Sequence, residues 1–172
     1  MIRKKICMLG ATMVGKTSLV RQYVDTMFDD KYQQTIGVKI DKKTLAVDTE
    51  EVRLMLWDIQ GEDDSGTTRD AYLRGMDGYL LVVDNTRRET LQAASSIHNR
   101  VRQSMGDLPH VLIANKCDLT EDSQILDSDM HTLSDKALAL IRTSARTGSH
   151  VESSFELLAR ALCGPRGVSA GS

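Results

Sequence analysis

The chain has 172 residues, 41% of them hydrophobic and 27% charged, with a formal net charge of −2. That is about one domain, large enough to bury a core without metal or disulfide support, and its charge leaves no electrostatic footprint for nucleic acid. Cys7, Cys117 and Cys163 lack both an even count and metal-ligand spacing, no run approaches a membrane span, Ile2 excludes N-myristoylation, and the final VSAGS carries no prenylation signal. A cytoplasmic chain with no intrinsic membrane anchor, monomeric when free, is therefore expected.

KKICMLG (4 to 10) is a short apolar run ended by glycine, as in a buried central strand, and the segment to Met27 has helical spacing through Leu19, Val20 and Val24. Residues 38 to 47 and 52 to 58 alternate around a polar stretch at 48 to 51, which predicts a β-hairpin. GYLLVVD (78 to 84), HVLIAN (110 to 115) and ALALIRT (137 to 143) are three more apolar runs too short for helices. Between them helices are predicted from Glu89 to about Met105, more weakly near Asp129 to Lys136, and from Val151 to about Cys163, where Val151, Phe155, Leu158 and Leu162 form one stripe. Strands alternating with helices imply right-handed crossovers and a three-layer α/β fold. The expected sheet is six-stranded and mostly parallel, with one antiparallel edge strand and helices on both faces. The domain is expected to cover 1–164, with 165–172 as a disordered tail.

GATMVGKT (10 to 17) lies between the first strand and the first helix, the context in which G-x-x-x-x-G-K-[ST] is credible as a phosphate loop. Glycines let successive N–H groups of Gly10, Met13, Val14, Gly15, Lys16, Thr17 and Ser18 curl around an anion at the positive end of a helix. Lys16 would reach the β and γ oxygens and the Thr17 hydroxyl would ligate Mg²⁺. Such a cradle suits ATPases and kinases as well as GTPases.

The base decides between them. NKCD (115 to 118) follows the HVLIAN strand, and the Asp118 carboxylate, an acceptor-only group, can take guanine N1–H and the guanine amino group together. Adenine has no such pair of donors, and mismatches of this kind can cost ~10⁴-fold. Asn115 would tie neighbouring loops together and the Lys116 stem would cover one face of the base. TSA (143 to 145) adds Ser144 and an Ala145 N–H directed at guanine O6, with Arg146 next in the chain.

With these motifs the chain resembles the Ras superfamily of small GTPases, and most closely its Rab branch, from residue 3 to about 163. The resemblance implies that Phe28 stacks on guanine, Tyr32 lies over the phosphates, and Thr35 in QTIGV ligates Mg²⁺. It implies too that Asp58 in WDIQG holds the metal through water and that the Gly61 N–H contacts the γ-phosphate. YLRGMDGYLLVVD (72 to 84) follows the Rab pattern as well. The implied device is a GTP/GDP switch: Thr35 and Gly61 are drawn inward by the γ-phosphate and Mg²⁺, order two loops, and are released when the phosphate goes.

The departures gather at switch II. Relatives place glutamine after the glycine, whereas here Glu62 follows Gly61 and the glutamine precedes it as Gln60. At roughly 5 Å an ionised Glu62 would be repelled by a γ-phosphate charge by ~3 kcal/mol at an effective dielectric of ~20. A protonated or water-bridged Glu62 could still orient water, so slow turnover is expected, with Lys16, Thr35, Gly61 and Glu62 as the catalytic set. Gln60 is a poor substitute, because its position in the aspartate-to-glycine turn need not face the phosphate, and Thr12 replaces a glycine common in relatives. Effectors, exchange factors or activating proteins are expected at switches I and II; Glu62, Asp63 and Asp64 are expected to form a solvated face or, alternatively, to meet a partner's basic patch, for which exposed Ile36, Val38, Ile40 and Trp57 would give an apolar centre. His98, His110, His131 and His150 show no triad or zinc spacing and are assigned surface or packing roles. Two rivals stand beside the switch: a nucleotide-bound scaffold with negligible turnover, and a small-molecule kinase, for which no lid or acceptor pocket is visible.

Overall fold

The computed structural model describes residues 1–31, 34–61 and 70–164. Tyr32, Glu62, the acidic run that Glu62 begins and the expected tail lie outside them. Strands β1 (Ile2–Gly10), β2 (Val38–Val47), β3 (Glu50–Ile59), β4 (Gly78–Asp84), β5 (His110–Asn115) and β6 (Leu140–Arg142) form one sheet in the order β2-β3-β1-β4-β5-β6. Only β2 runs antiparallel to its neighbour; every other pairing is parallel. This is the expected fold class.

Period-2 alternation builds two cores from one sheet. Ile6, Met8, Leu54, Leu56, Leu80 and Val82 face α1 (Lys16–Asp25) and α5 (Val151–Cys163), meeting Leu19, Val20, Phe155 and Leu158. Tyr23 and Phe155 stack there with ring centroids 4.2 Å apart. Cys7, Leu9, Leu81 and Val83 face the opposite way, onto Ile97 and Val101 of α3 (Glu89–Met105). Each fully buried aliphatic side chain contributes about 1.5–3 kcal/mol, so the layers are held from both sides.

β1 lies between β3 and β4, and the chain leaves it toward one neighbour and later returns beside the other. Strand order therefore reverses at its carboxyl end, where open α/β sheets leave a crevice.

Element ends differ from the periodicity-based expectation where backbone geometry intervenes. The first helix stops at Asp25, because Thr26 takes a left-handed conformation at φ 53°. The hairpin turn is shorter than four residues: Asp48 at φ 54° reverses the chain, and Val47 pairs directly with Glu50. The weak helix near 129 to 136 is a 3₁₀ turn at Asp127–Met130 followed by a four-residue α4 (His131–Ser134), and β6 forms over Leu140–Arg142 alone. A short α2 (Asp70–Leu73), absent from the periodicity-based expectation, anchors Leu73 in the second core. Among the described residues no helix is long and apolar enough to cross a membrane.

The four histidines divide as assigned. His131 and His150 are exposed, whereas His98 and His110 are buried together. Tyr79 stacks on His110 with centroids 4.8 Å apart, and its hydroxyl lies 2.8 Å from His98 Nδ1.

Candidate functional site

At the carboxyl edge of β1, β3 and β5 a cavity of about 560 Å³ opens. Its floor is the loop between β1 and α1. Gly15 occupies the N-cap of α1 at φ 101° and supplies no side-chain cap, so the first-turn N–H groups, which lack intrahelical acceptors, are offered to the cavity. No larger residue fits at Gly15: a Cβ would lie 2.3 Å from Asn115 Nδ2. Lys16 is buried and donates to the Gly10 and Ala11 carbonyls at 3.0 and 2.9 Å. Desolvation lowers its pKa to about 8 against the opposing pull of Asp58, with Arg87 lowering it further. An anion here would supply the counter-charge that burial has removed.

Behind Lys16 stand oxygen donors. Thr17 Oγ1 donates to Asp58 Oδ2 at 2.6 Å and lies 2.6 Å from Thr35 Oγ1. The other carboxylate oxygen, Asp58 Oδ1, is buried without a hydrogen-bond partner. Burial raises the Asp58 pKa, opposed first by the Thr17 hydroxyl and then by Lys16. An orphaned carboxylate oxygen beside two hydroxyls is a hard-oxygen set that fits Mg²⁺, which keeps waters and shares phosphate oxygens rather than filling an all-protein cage. The described residues contain no cluster of three or more His, Cys, Asp or Glu able to hold a metal.

The opposite wall comes from the ends of β5 and β6. Asn115 Nδ2 donates to the Val14 carbonyl at 3.0 Å, while its Oδ1 accepts from Thr143 Oγ1 at 3.0 Å and from the Ala145 N–H at 3.3 Å. One side chain thus joins three loops. Ser144 Oγ donates to Asp118 Oδ1 at 2.9 Å, fixing the carboxylate at the cavity edge. The Ala145 N–H points at Asn115, so contact with a base oxygen would require that long bond to be shared. The Lys116 ammonium reaches back to the Met13 carbonyl at 2.9 Å and to Asp84 Oδ2 at 2.7 Å, which lays its stem along the cavity.

Met13, Gly15, Lys16, Thr17, Ser18, Phe28, Thr35, Gly61, Asn115, Lys116, Asp118, Ala145 and Arg146 all line this one cavity. Gly10, Val14, Asp58 and Ser144 are buried just behind it. Phe28 is 39% exposed at the rim. Gly61 packs so tightly on the phosphate loop that a Cβ would lie 2.6 Å from Thr12 Cα. Tyr32 and Glu62 fall outside the described residues.

A Ras family model matches residues 5–164. The chain belongs to the Ras family of small GTPases and is Rab-like within it. The Ras-related protein Rab-19 of Homo sapiens is 32% identical over 161 residues, covering 92% of this chain and 74% of that protein. Rab-19 of Bos taurus shows the same identity and coverage, and Rab-19 of Xenopus laevis is 32% identical over 92% of this chain and 76% of its own. As a Ras family member the chain is a GTP-binding molecular switch, and members of the family work through effectors, exchange factors and activating proteins.

Two residues that motif reading passed over complete this small-GTPase site. Asp84 ends β4 fully buried, accepting from Lys116, Thr86 and Arg87. Desolvation pulls its pKa up, but the bonds from Lys116 and Thr86 hold it below the usual carboxylate range. Arg87 extends from it to the Thr12 carbonyl at 2.7 Å. The sequence signal was an aspartate closing an otherwise apolar strand, since a carboxylate so placed must find cations.

Proposed function

We propose that this chain binds GTP or GDP with Mg²⁺ in the cavity between β1 and β5 and hydrolyses GTP slowly or with a partner's help. The observation that carries this reading is the Asn115–Val14 hydrogen bond, which seats the NKCD loop against the phosphate loop around one cavity. A phosphate cradle and a base-reading carboxylate joined this way favour guanine nucleotides over a small-molecule kinase substrate.

Lys16 neutralises β and γ oxygens, and N–H groups at the start of α1 orient them. Thr17, Thr35 and Asp58 would hold Mg²⁺, whose contribution when bound is to neutralise charge developing between the β and γ oxygens. Asp118 selects guanine by accepting two N–H groups, with Ser144 holding the carboxylate in place. Gly61, close on Thr12 at the cavity wall, would offer its N–H to the γ-phosphate. Glu62, next in the chain, is assigned the steering of water; an ionised carboxylate there would be repelled by the phosphate, so slow turnover is expected. Ile36, at 86% exposed, and Ile40, at 43%, give effectors an apolar centre beside the half-buried Val38 and Trp57.

Single-turnover hydrolysis of GTP by the purified chain and by Glu62→Gln tests this. Slow cleavage by the native chain and faster cleavage by Glu62→Gln is the expected result. Binding of GTP without cleavage by either form, activators included, would establish the scaffold reading instead.

A further inference from the structure

Where relatives place glutamine after Gly61, this chain places one before it, and its side chain avoids the nucleotide cavity altogether. The β2–β3 ladder ends in register at Val38 and Ile59. One residue farther, the Gln60 N–H donates to the Gly37 carbonyl at 2.8 Å, and the Gly37 N–H donates back to Gln60 Oε1 at 3.2 Å. In an ordinary antiparallel pair both bonds would be exchanged between backbones. Here the side-chain carbonyl takes the place of the backbone carbonyl. The ladder thereby closes one step beyond its last regular pair while the backbone turns away, carrying Gly61 onto Thr12.

The location gives this bond its meaning. Two residues before Gly37 is Thr35, hydrogen-bonded toward Thr17 and Asp58; one residue after Gln60 is Gly61. The Gly37–Gln60 pair therefore spans the two segments that a γ-phosphate is expected to order, using groups of the protein alone. Alanine at this position could make the first bond and never the second.

We propose that Gln60 is a positioning residue that clasps switch I to switch II, so that the two segments order and release together rather than independently. Its functional consequence rests on the switch reading above: the clasp retains part of the switch I order after the γ-phosphate leaves, narrows the difference between GTP and GDP forms, and slows nucleotide release.

The test compares the full chain with Gln60→Met, which keeps length but has no carbonyl acceptor, and Gln60→Glu, which keeps an acceptor oxygen. Amide hydrogen exchange at Gly37 reads the clasp, and release of a fluorescent GDP reads its consequence, with thermal melting confirming that each variant folds. Gln60→Met is expected to speed Gly37 exchange and GDP release by roughly 2- to 12-fold, the net range for one hydrogen bond, while Gln60→Glu stays near the native chain. Unchanged Gly37 exchange in Gln60→Met, or equal acceleration in Gln60→Glu, overturns the clasp. A native chain that bound no fluorescent GDP would overturn the nucleotide reading instead, and Gly37 exchange in nucleotide-free protein would still decide the clasp.

Discussion

Thr17 Oγ1 and Thr35 Oγ1 lie 2.6 Å apart and converge on one oxygen of Asp58. The Thr17 hydroxyl donates to Asp58 Oδ2, the Thr35 hydroxyl lies within reach of both, and the bare Asp58 Oδ1 remains for a cation. Asp58→Asn should therefore act in two opposite directions. Burial raises the Asp58 pKa, so the folded chain disfavours the charge, and the neutral amide is expected to preserve or raise the melting temperature of nucleotide-free protein. The same change should weaken Mg²⁺ about 10- to 100-fold, as loss of a water-mediated metal partner does elsewhere. Magnesium titration of GDP release measures the second effect and calorimetric melting the first; joint destabilisation and unchanged magnesium dependence would contradict the assigned role.

Asp118 accepts from Ser144 through one oxygen, and among the described residues its other oxygen accepts from no donor, so the carboxylate can take a pair of donors. Replacing it with asparagine turns one acceptor into a donor that faces the guanine amino group. Affinity for GDP is expected to fall by at least about 10²-fold, with xanthosine diphosphate, which presents a carbonyl where guanine has its amine, gaining on it. Competition binding with the two nucleotides checks this, and a variant that still preferred GDP would remove Asp118 from base selection.

How far these relationships could be read in advance depends on whether a single local pattern encodes them. The glycines of 10 to 17 and the Asp-Gly spacing of 58 to 61 are local, so the loop that floors the cavity and the convergence of Asp58 with Thr17 were legible, as was a parallel sheet built from short apolar runs. Asn115 as a tie between loops was legible because the motif sits at a strand end. Arg87 on Thr12 and the pairing of Tyr79 with His98 and His110 were not, because those contacts arise when β4 and β5 pair and α3 packs across them. That Gln60 need not face the phosphate was legible from its place in the turn, but its partner depended on where the hairpin ladder stopped. The short hairpin turn was obscured by four consecutive polar residues, of which only Asp48 and Thr49 turn.

The buried histidines predict a pH dependence. His110 Nδ1 donates to the Leu108 carbonyl at 2.9 Å, which in the neutral ring leaves Nε2 bare, buried and unpartnered. Desolvation lowers the pKa of His98, aided by His110, Arg102 and Lys136 and opposed by Asp107; desolvation also lowers that of His110, aided by Arg102 and opposed by the Leu108 bond and Asp107. With folded pKa values below the ordinary histidine value, both rings are neutral in either state well above it, and stability is fully present there. As pH falls through that value the unfolded chain takes up protons first, so stability declines on the acid side. The melting temperature is expected to drop between about pH 7.5 and pH 5, and His110→Phe, which keeps a ring against Tyr79, should shrink the drop. An equal drop in the variant would place the acid sensitivity elsewhere.

Arg87 offers a last test, because its guanidinium joins the fully buried Asp84 to the phosphate-loop carbonyl of Thr12. Asp84 keeps Lys116 and Thr86 when Arg87 is removed, so the carboxylate is not stranded and the fold should survive. What is lost is the restraint on Thr12, against whose backbone Gly61 packs. Hydrogen bonds to charged groups contribute about 1.5–3 kcal/mol, so Arg87→Ala is expected to weaken nucleotide binding by roughly 10- to 100-fold. The loss should be greater for GTP than for GDP, since Gly61 is the contact assigned to the γ-phosphate. Arg87→Lys, able to reach one acceptor but not to bridge both, should recover only part of the affinity. Titration calorimetry with GDP and a non-hydrolysable GTP analogue separates the cases: equal losses for both nucleotides would make Arg87 a general prop of the loop, whereas a selective loss for the triphosphate would tie it to the switch.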